Sequence, residues 1–170
     1  MIELYVMGIA LDSRTGTPIV VLNDKDNRRA LPIWIGTAEA SAIIRQLENI
    51  KTTRPMTHDL ILNILESLHQ TVHRVEINEL ASDTYFASVF LHDTNGQETM
   101  IDARPSDAIA MALKSSAPIY AASTVIAEGA ISTDQARDEE EAEEFRKFLQ
   151  DLKPSDFKNF KIDADFESDQ

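Results

Sequence analysis

The chain has 170 residues, 43% apolar and 26% charged, with a formal charge of −13 and no cysteine. That length supports one domain with a real core, and the missing cysteine excludes a disulfide framework, a thiolate metal site and a cysteine nucleophile. The acidic balance lacks the basic patch of an extended nucleic-acid-binding surface, and no apolar run approaches the ~20 residues that span a bilayer, so a cytoplasmic protein without membrane contact is expected.

In chain order, residues 2–11 read as a strand, followed by "PIVVLN" and "RRALPIWIG" across the polar turn "DKDN". Such a meander predicts antiparallel pairing. Gly36-Thr37 then opens a helix whose apolar positions Ala40, Ile43, Ile44, Leu47 and Ile50 follow the 3.6 period, with Thr37 as its cap and Glu39 in its first turn. Thr57 is the expected cap of a second helix, behind Pro55, with Leu60, Ile61, Ile64, Leu65 and Leu68 as its buried face. Three strands follow in "HRVEINEL", "TYFASVFLH" and "QETMIDA", the last two joined through the hairpin signal Asn95-Gly96. Both faces of "TYFASVFLH" are largely apolar, which predicts a strand covered on both sides.

"DAIAMALKS" reads as a helix because of its three alanines and polar start, and "APIYAAST" as a short strand. Residues 1–130 then form one domain. Ser132 and Gln135 make a capping box for an acidic amphipathic helix over 131–153, with Phe145, Phe148, Leu149 and Leu152 behind "DEEEAEE". Residues 154–170 read as a flexible tail. Hairpins and helices mix without βαβ alternation, which predicts α+β: a mostly antiparallel sheet with three to four helices.

Several chemistries drop out. The five glycines are scattered, so no phosphate-cradling loop exists, and no serine sits in a nucleophile elbow. His69 and His73 lack the acid of a metal-binding helix motif and read as a solvated pair. Trp34, the sole tryptophan, could stack on a base but reads as core inside an apolar strand.

Two Arg-Pro corners remain, "RPMTHDL" and "ARPSDAIAMAL". Each places a proline at a helix start with Thr57 or Ser106 to accept first-turn amides and Asp59 or Asp107 near the dipole. This makes a stable corner with no function, its arginines paired to Asp102 and Asp107. It also suits an anion: Arg54 and Arg104 offer planar forks for phosphate, and Asp102 and Asp107 could share a divalent cation that activates water. Glu39 and Asp59 would complete the ring if the helices converge, and His58 could carry a proton.

"LPIWIGTAEASAI", "RPMTHDL" and "IDARPSDAIAMAL", in this order, resemble the signature stretches of the bifunctional nuclease family, with a likeness running from about Met1 to about Val125. "EEAEEFRKFLQDLKPSDF" is similar to the tail of bacterial members. The resemblance implies an α+β domain that self-associates and, for some members, a nuclease acting on both DNA and RNA. The matching polar positions are Glu39, Arg54, Thr57, His58, Asp59, Asp102, Arg104, Ser106 and Asp107.

The expected function is therefore a low-specificity nuclease on DNA and RNA. Asp102 and Asp107 hold Mg2+ or Mn2+; Arg104 and Arg54, with Ser106 and Thr57, bind the phosphate; Glu39, Asp59 or His58 activates water. The net charge predicts weak, salt-sensitive binding. The alternatives are a non-catalytic homo-oligomeric module, a dimer or higher assembly with structural corners, or a regulator that binds a small phosphorylated ligand there.

Overall fold

The computed structural model describes residues 1–133 and the single position Lys147. In chain order the elements are β1 (Ile2–Leu11), β2 (Pro18–Asp24), β3 (Arg29–Trp34), α1 (Thr37–Leu47), α2 (Thr57–Ser67), β4 (Thr71–Ala81), β5 (Thr84–His92), β6 (Glu98–Ala103), α3 (Pro105–Ser115), β7 (Ile119–Ala121), α4 (Ser123–Gly129) and β8 (Ile131–Ser132). The acidic helix and tail expected beyond 133 lie outside the described residues. Ser132, read from sequence as a helix cap, pairs instead with Arg29 in β8.

All eight strands join one sheet in the order β6-β5-β4-β7-β1-β2-β3-β8. Only β4 and β7 run parallel. The fold is α+β, as its element pattern predicts.

Turn chemistry sets the register. In the β5–β6 hairpin the Asp93 carboxylate accepts the Asn95 and Gln97 amides, both at 2.8 Å, and Gly96 takes a φ of 78°. In the β4–β5 hairpin Ser82 and Asp83 both have positive φ, 48° and 59°, the signature of a type I′ turn. Without a glycine this turn is hard to see in sequence.

The core is built on Leu22, Leu31, Ile43, Ile77 and Ile109, all fully buried. Each such side chain contributes roughly 1.5–3 kcal/mol on leaving water. As expected, β5 is buried on both faces, from Ala87 through Leu91. Helix α3 is the most enclosed helix, with Pro105, Ser106 and Ala108–Ala112 buried. Its small alanines let it lie close to β4 and β5 while α1 and α2 pack beside it. The sheet curls strongly. β3 and β5 are separated by four strands in the sheet order, yet Leu31 of β3 and the Tyr85 hydroxyl of β5 both crowd the position a Cβ on Gly129 would take.

Three sequence expectations need correction. The helix caps are Gly36, Met56 and Arg104 rather than Thr37, Thr57 and Ser106, because an extended residue precedes each helix and no side chain supplies the cap bond. The apolar face of α2 is only partly covered: Ile61 and Leu65 are half-buried, Leu60, Ile64 and Leu68 are 53%, 49% and 63% exposed, and the buried residue of that helix is His58. Trp34 is 54% exposed rather than core. It ends β3 on the outward side of the alternation, between buried Ile33 and Ile35.

Candidate active site at the joined Arg-Pro corners

The two corners meet. At the head of α2 the chain stays extended through Met56 (φ −82°, ψ 176°), and the Met56 amide donates to Asp59 Oδ2 at 2.9 Å. At the head of α3, Arg104 is extended (φ −68°, ψ 145°) and Pro105 occupies the first helical position, where its missing N–H costs nothing. His58 then reaches across, its Nε2–H donating to Asp107 Oδ1 at 3.0 Å.

Asp107 is the hub of a chain of polar contacts. Its Oδ2 accepts Arg104 Nε at 2.8 Å, while Arg104 Nη1 donates to Glu39 Oε1, also at 2.8 Å. Three helix starts are thus tied through His58, Asp107, Arg104 and Glu39. On the far side of Asp59, Lys114 Nζ donates to Oδ1 at 2.6 Å. Gly36 matters to this arrangement, since the Glu39 carboxylate folds over it where any Cβ would collide with Oε2.

The electrostatics follow the geometry. Burial alone raises the Asp107 carboxyl, but hydrogen bonds from Arg104 and His58 outweigh it and leave the group below the ordinary carboxylate value. Asp59 is also lowered, first by the Lys114 hydrogen bond and then by the Met56 amide. Arg104 is raised by Asp107 and Glu39 and stays a cation. Its side chain is 66% exposed, and among the described residues its Nη2 has no partner.

Arg104 and Glu39 border a cleft of about 290 Å³ that is also lined by Trp34, Asp83, Tyr85 and Ser106, among others. β3 supplies the tryptophan, the β4–β5 turn supplies Asp83, and the β6–α3 corner supplies Arg104. Indole Nε1 donates to Asp12 Oδ2 at 3.1 Å, which anchors one edge of the ring and leaves the rest open.

Of the residues singled out from sequence, Glu39, Arg104, Asp107 and His58 are joined, and Ser106 lines the cleft while being only 7% exposed. Thr57 is exposed in the first turn of α2. Arg54 and Asp102 are exposed and unpaired among the described residues. Asp59 turns to Lys114, not to the cleft.

The donor set does not fit a cation shared by Asp102 and Asp107. Among the described residues neither Asp102 nor Asp107 belongs to a group of three ligand atoms close enough to share one ion, and Asp102 lies exposed on β6. Trp34 was weighed from sequence as a base-stacking residue but read as core, and Tyr85 is a cleft residue that the motif search missed. The hairpin register, which brings Tyr85 next to the turn, was the available signal.

The chain matches the bifunctional nuclease domain over residues 20–134. It is 35% identical over 164 residues to the uncharacterized protein Rv1829 of Mycobacterium tuberculosis, covering 92% of this chain and 98% of that one. It is 28% identical over 110 residues to bifunctional nuclease 1 of Oryza sativa subsp. indica, and 28% over 105 residues to bifunctional nuclease 1 of Arabidopsis thaliana. These matches cover 64% and 60% of this chain but only 33% and 32% of the plant proteins. With its signature corners inside the matched segment, the chain belongs to the bifunctional nuclease domain family.

Proposed function

We propose that this chain hydrolyses phosphodiester bonds of DNA and RNA with little sequence preference, using the cleft between Trp34 and Arg104. One observation carries the reading: an exposed indole and a guanidinium whose Nη2 has no partner among the described residues line the same cleft. A base can stack on the first while its phosphate takes the second. Low specificity follows, because stacking tolerates any base. Arg54, exposed at the neighbouring corner, adds a second phosphate contact. The bifunctional nucleases of rice and Arabidopsis support the substrate class.

In the reaction, water oxygen bonds to phosphorus as the bond from phosphorus to the departing nucleotide oxygen breaks. Glu39 takes the water proton at Oε2, which accepts no hydrogen bond among the described residues, and solvent protonates the leaving oxygen. Arg104 offsets the charge that grows on the phosphoryl oxygens. Asp107 and His58 act behind it as positioning residues. No step passes through a cation.

Labelled single-stranded DNA, double-stranded DNA and RNA, each incubated with Mg2+, with Mn2+ or with chelator, test this reading. Arg104→Ala and Glu39→Gln are each expected to slow cleavage by roughly 100-fold or more, the scale of losing one preorganised contact. Cleavage as fast as the parent in both variants would assign the activity elsewhere, including to a contaminant.

A second feature belongs to the same reading. Met56, Leu60, Ile64 and Leu68 recur every four residues along α2 and are 48–63% exposed. A row of this kind is self-complementary about a two-fold axis, Ile64 against Ile64 and Leu60 against Leu68. We assign it to contact with a second copy of the chain. Ile64→Glu should convert the assembly to monomer by light scattering in solution, and an unchanged mass rules the face out.

A further inference from the structure

At the other end of the β4–β5–β6 hairpins lies a second cluster. His92 ends β5 and stands directly across from Glu98, the first residue of β6. His73 comes from β4, where it is the extra residue at a register shift between Val72 and Arg74. Bulges of this kind re-aim a side chain. The two imidazoles stack with centroids 3.8 Å apart and planes within 14°. His92 Nε2 lies 3.1 Å from Glu98 Oε2. One nitrogen from each ring and one Glu98 oxygen all fall within 4.8 Å of one another, and no other three imidazole or carboxylate groups among the described residues do so.

A clamp holds the carboxylate. Arg74 Nη2 donates to Glu98 Oε1 at 3.1 Å and Nη1 to Oε2, while Arg74 Nε donates to Glu76 at 2.6 Å and its guanidinium lies 3.8 Å over Phe90. Such outer contacts orient metal-binding carboxylates. One guanidinium against two glutamates leaves a net charge of −1 beside the two imidazoles, a setting that favours a dication. Two nitrogens and one oxygen suit a borderline ion such as zinc rather than magnesium or calcium. Tetrahedral zinc, with bonds of about 2.0–2.1 Å, sets its ligand atoms about 3.3 Å apart. Rotation about the side-chain bonds of three partly exposed residues closes that gap.

We propose that His73, His92 and Glu98 form a binding site for a zinc-class divalent cation, with the remaining coordination position open to water. Seven residue steps along β5 separate His92 from Tyr85, about 24 Å at strand rise. The site is thus distinct from the cleft, and the proposal does not rest on the phosphodiesterase reading. The competing arrangement is a protonated His92 paired with Glu98, a clip for the hairpin end with no metal.

Titration of the tag-free, chelator-stripped full chain with Co2+, followed by visible absorption, separates the two. One equivalent should develop the ligand-field bands of a low-coordinate site, Zn2+ should abolish them, and a large excess of Mg2+ should not. His92→Ala and the milder His73→Gln should each weaken binding by roughly 100-fold or more, above the range for an orienting contact. Asp107→Asn should bind like the parent. Should His92→Ala fail to fold, exposed His73 carries the test alone. Absent bands, competition by Mg2+, or unchanged affinity in His73→Gln would overturn the site.

Discussion

Trp34 gives the most direct test of the cleft. The residue is 54% exposed, so roughly half of the 150–250 Å² an aromatic side chain can bury, about 100 Å², is open to a base. At ~25 cal/mol per Å² that area is worth about 2.5 kcal/mol, inside the ~1–3 kcal/mol found for base stacking on aromatic residues. Trp34→Ala should therefore weaken binding of a labelled single strand by roughly 5- to 150-fold, with about 30-fold, or 2 kcal/mol, as the central value. Fluorescence anisotropy at low salt measures it. Because the chain has one tryptophan, quenching of the parent's intrinsic emission gives an independent reading of the same contact. The substitution also removes the buried half of the ring, up to about 2.5 kcal/mol of stability, so binding is read well below the variant's melting temperature. Trp34→Phe keeps a stacking face and should recover most of the affinity. Equal binding by parent and Trp34→Ala, with no quenching, would refute a base-stacking cleft.

Two further predictions probe the corner. Gly36→Ala places a methyl group against Glu39 Oε2; since the backbone there is ordinary and the carboxylate can swing away, melting should hardly move while cleavage falls at least tenfold, and an undiminished rate would remove Glu39 from the chemistry. Asp107→Asn should lower stability at neutral pH by about 1–2 kcal/mol, chiefly through the buried His58 contact, because solvent screens the exposed Arg104. The parent carboxyl is depressed in the folded state, so its contribution is complete above the unfolded value near 3.9 and fades as pH falls through the lower folded value. The gap in melting temperature between parent and Asp107→Asn should be flat from pH 7 to 5 and close below about pH 4; a gap that persists to pH 2.5 contradicts this origin.

Much of the fold was legible because its signals are local. Alternation marked β1, the Asn95-Gly96 pair marked the β5–β6 turn, and three alanines marked α3 as a helix able to pack closely. β8 and α4 were missed because two and seven residues leave too little pattern to read. The corners were legible as helix starts, but their caps were not: a serine or threonine is a cap only if its backbone is extended, and here the residue before it takes that role. Burial was least legible of all. The periodicity of α2 correctly announces a helix, yet it cannot say that Leu60 and Ile64 face outward while His58, one residue before the acid, is the group that docks. Nor could spacing reveal that His73 belongs with His92, nineteen positions on, because that neighbourhood is made by a glycine-free turn at Ser82-Asp83.

β6 ends the sheet order and five of its six residues are exposed. Met100 and Ile101 stand near its middle, 61% and 46% exposed, with Glu98 before them and Asp102 after. An unpaired strand margin carrying two bulky aliphatic side chains invites foreign strands to add themselves. The Asp102 carboxylate guards that margin by repelling an identical one on another molecule, whereas Glu98 is already offset by Arg74. Asp102, which has no partner among the described residues, thus has a use that needs neither substrate nor metal: an unneutralised charge on that margin disfavours pairing with another copy.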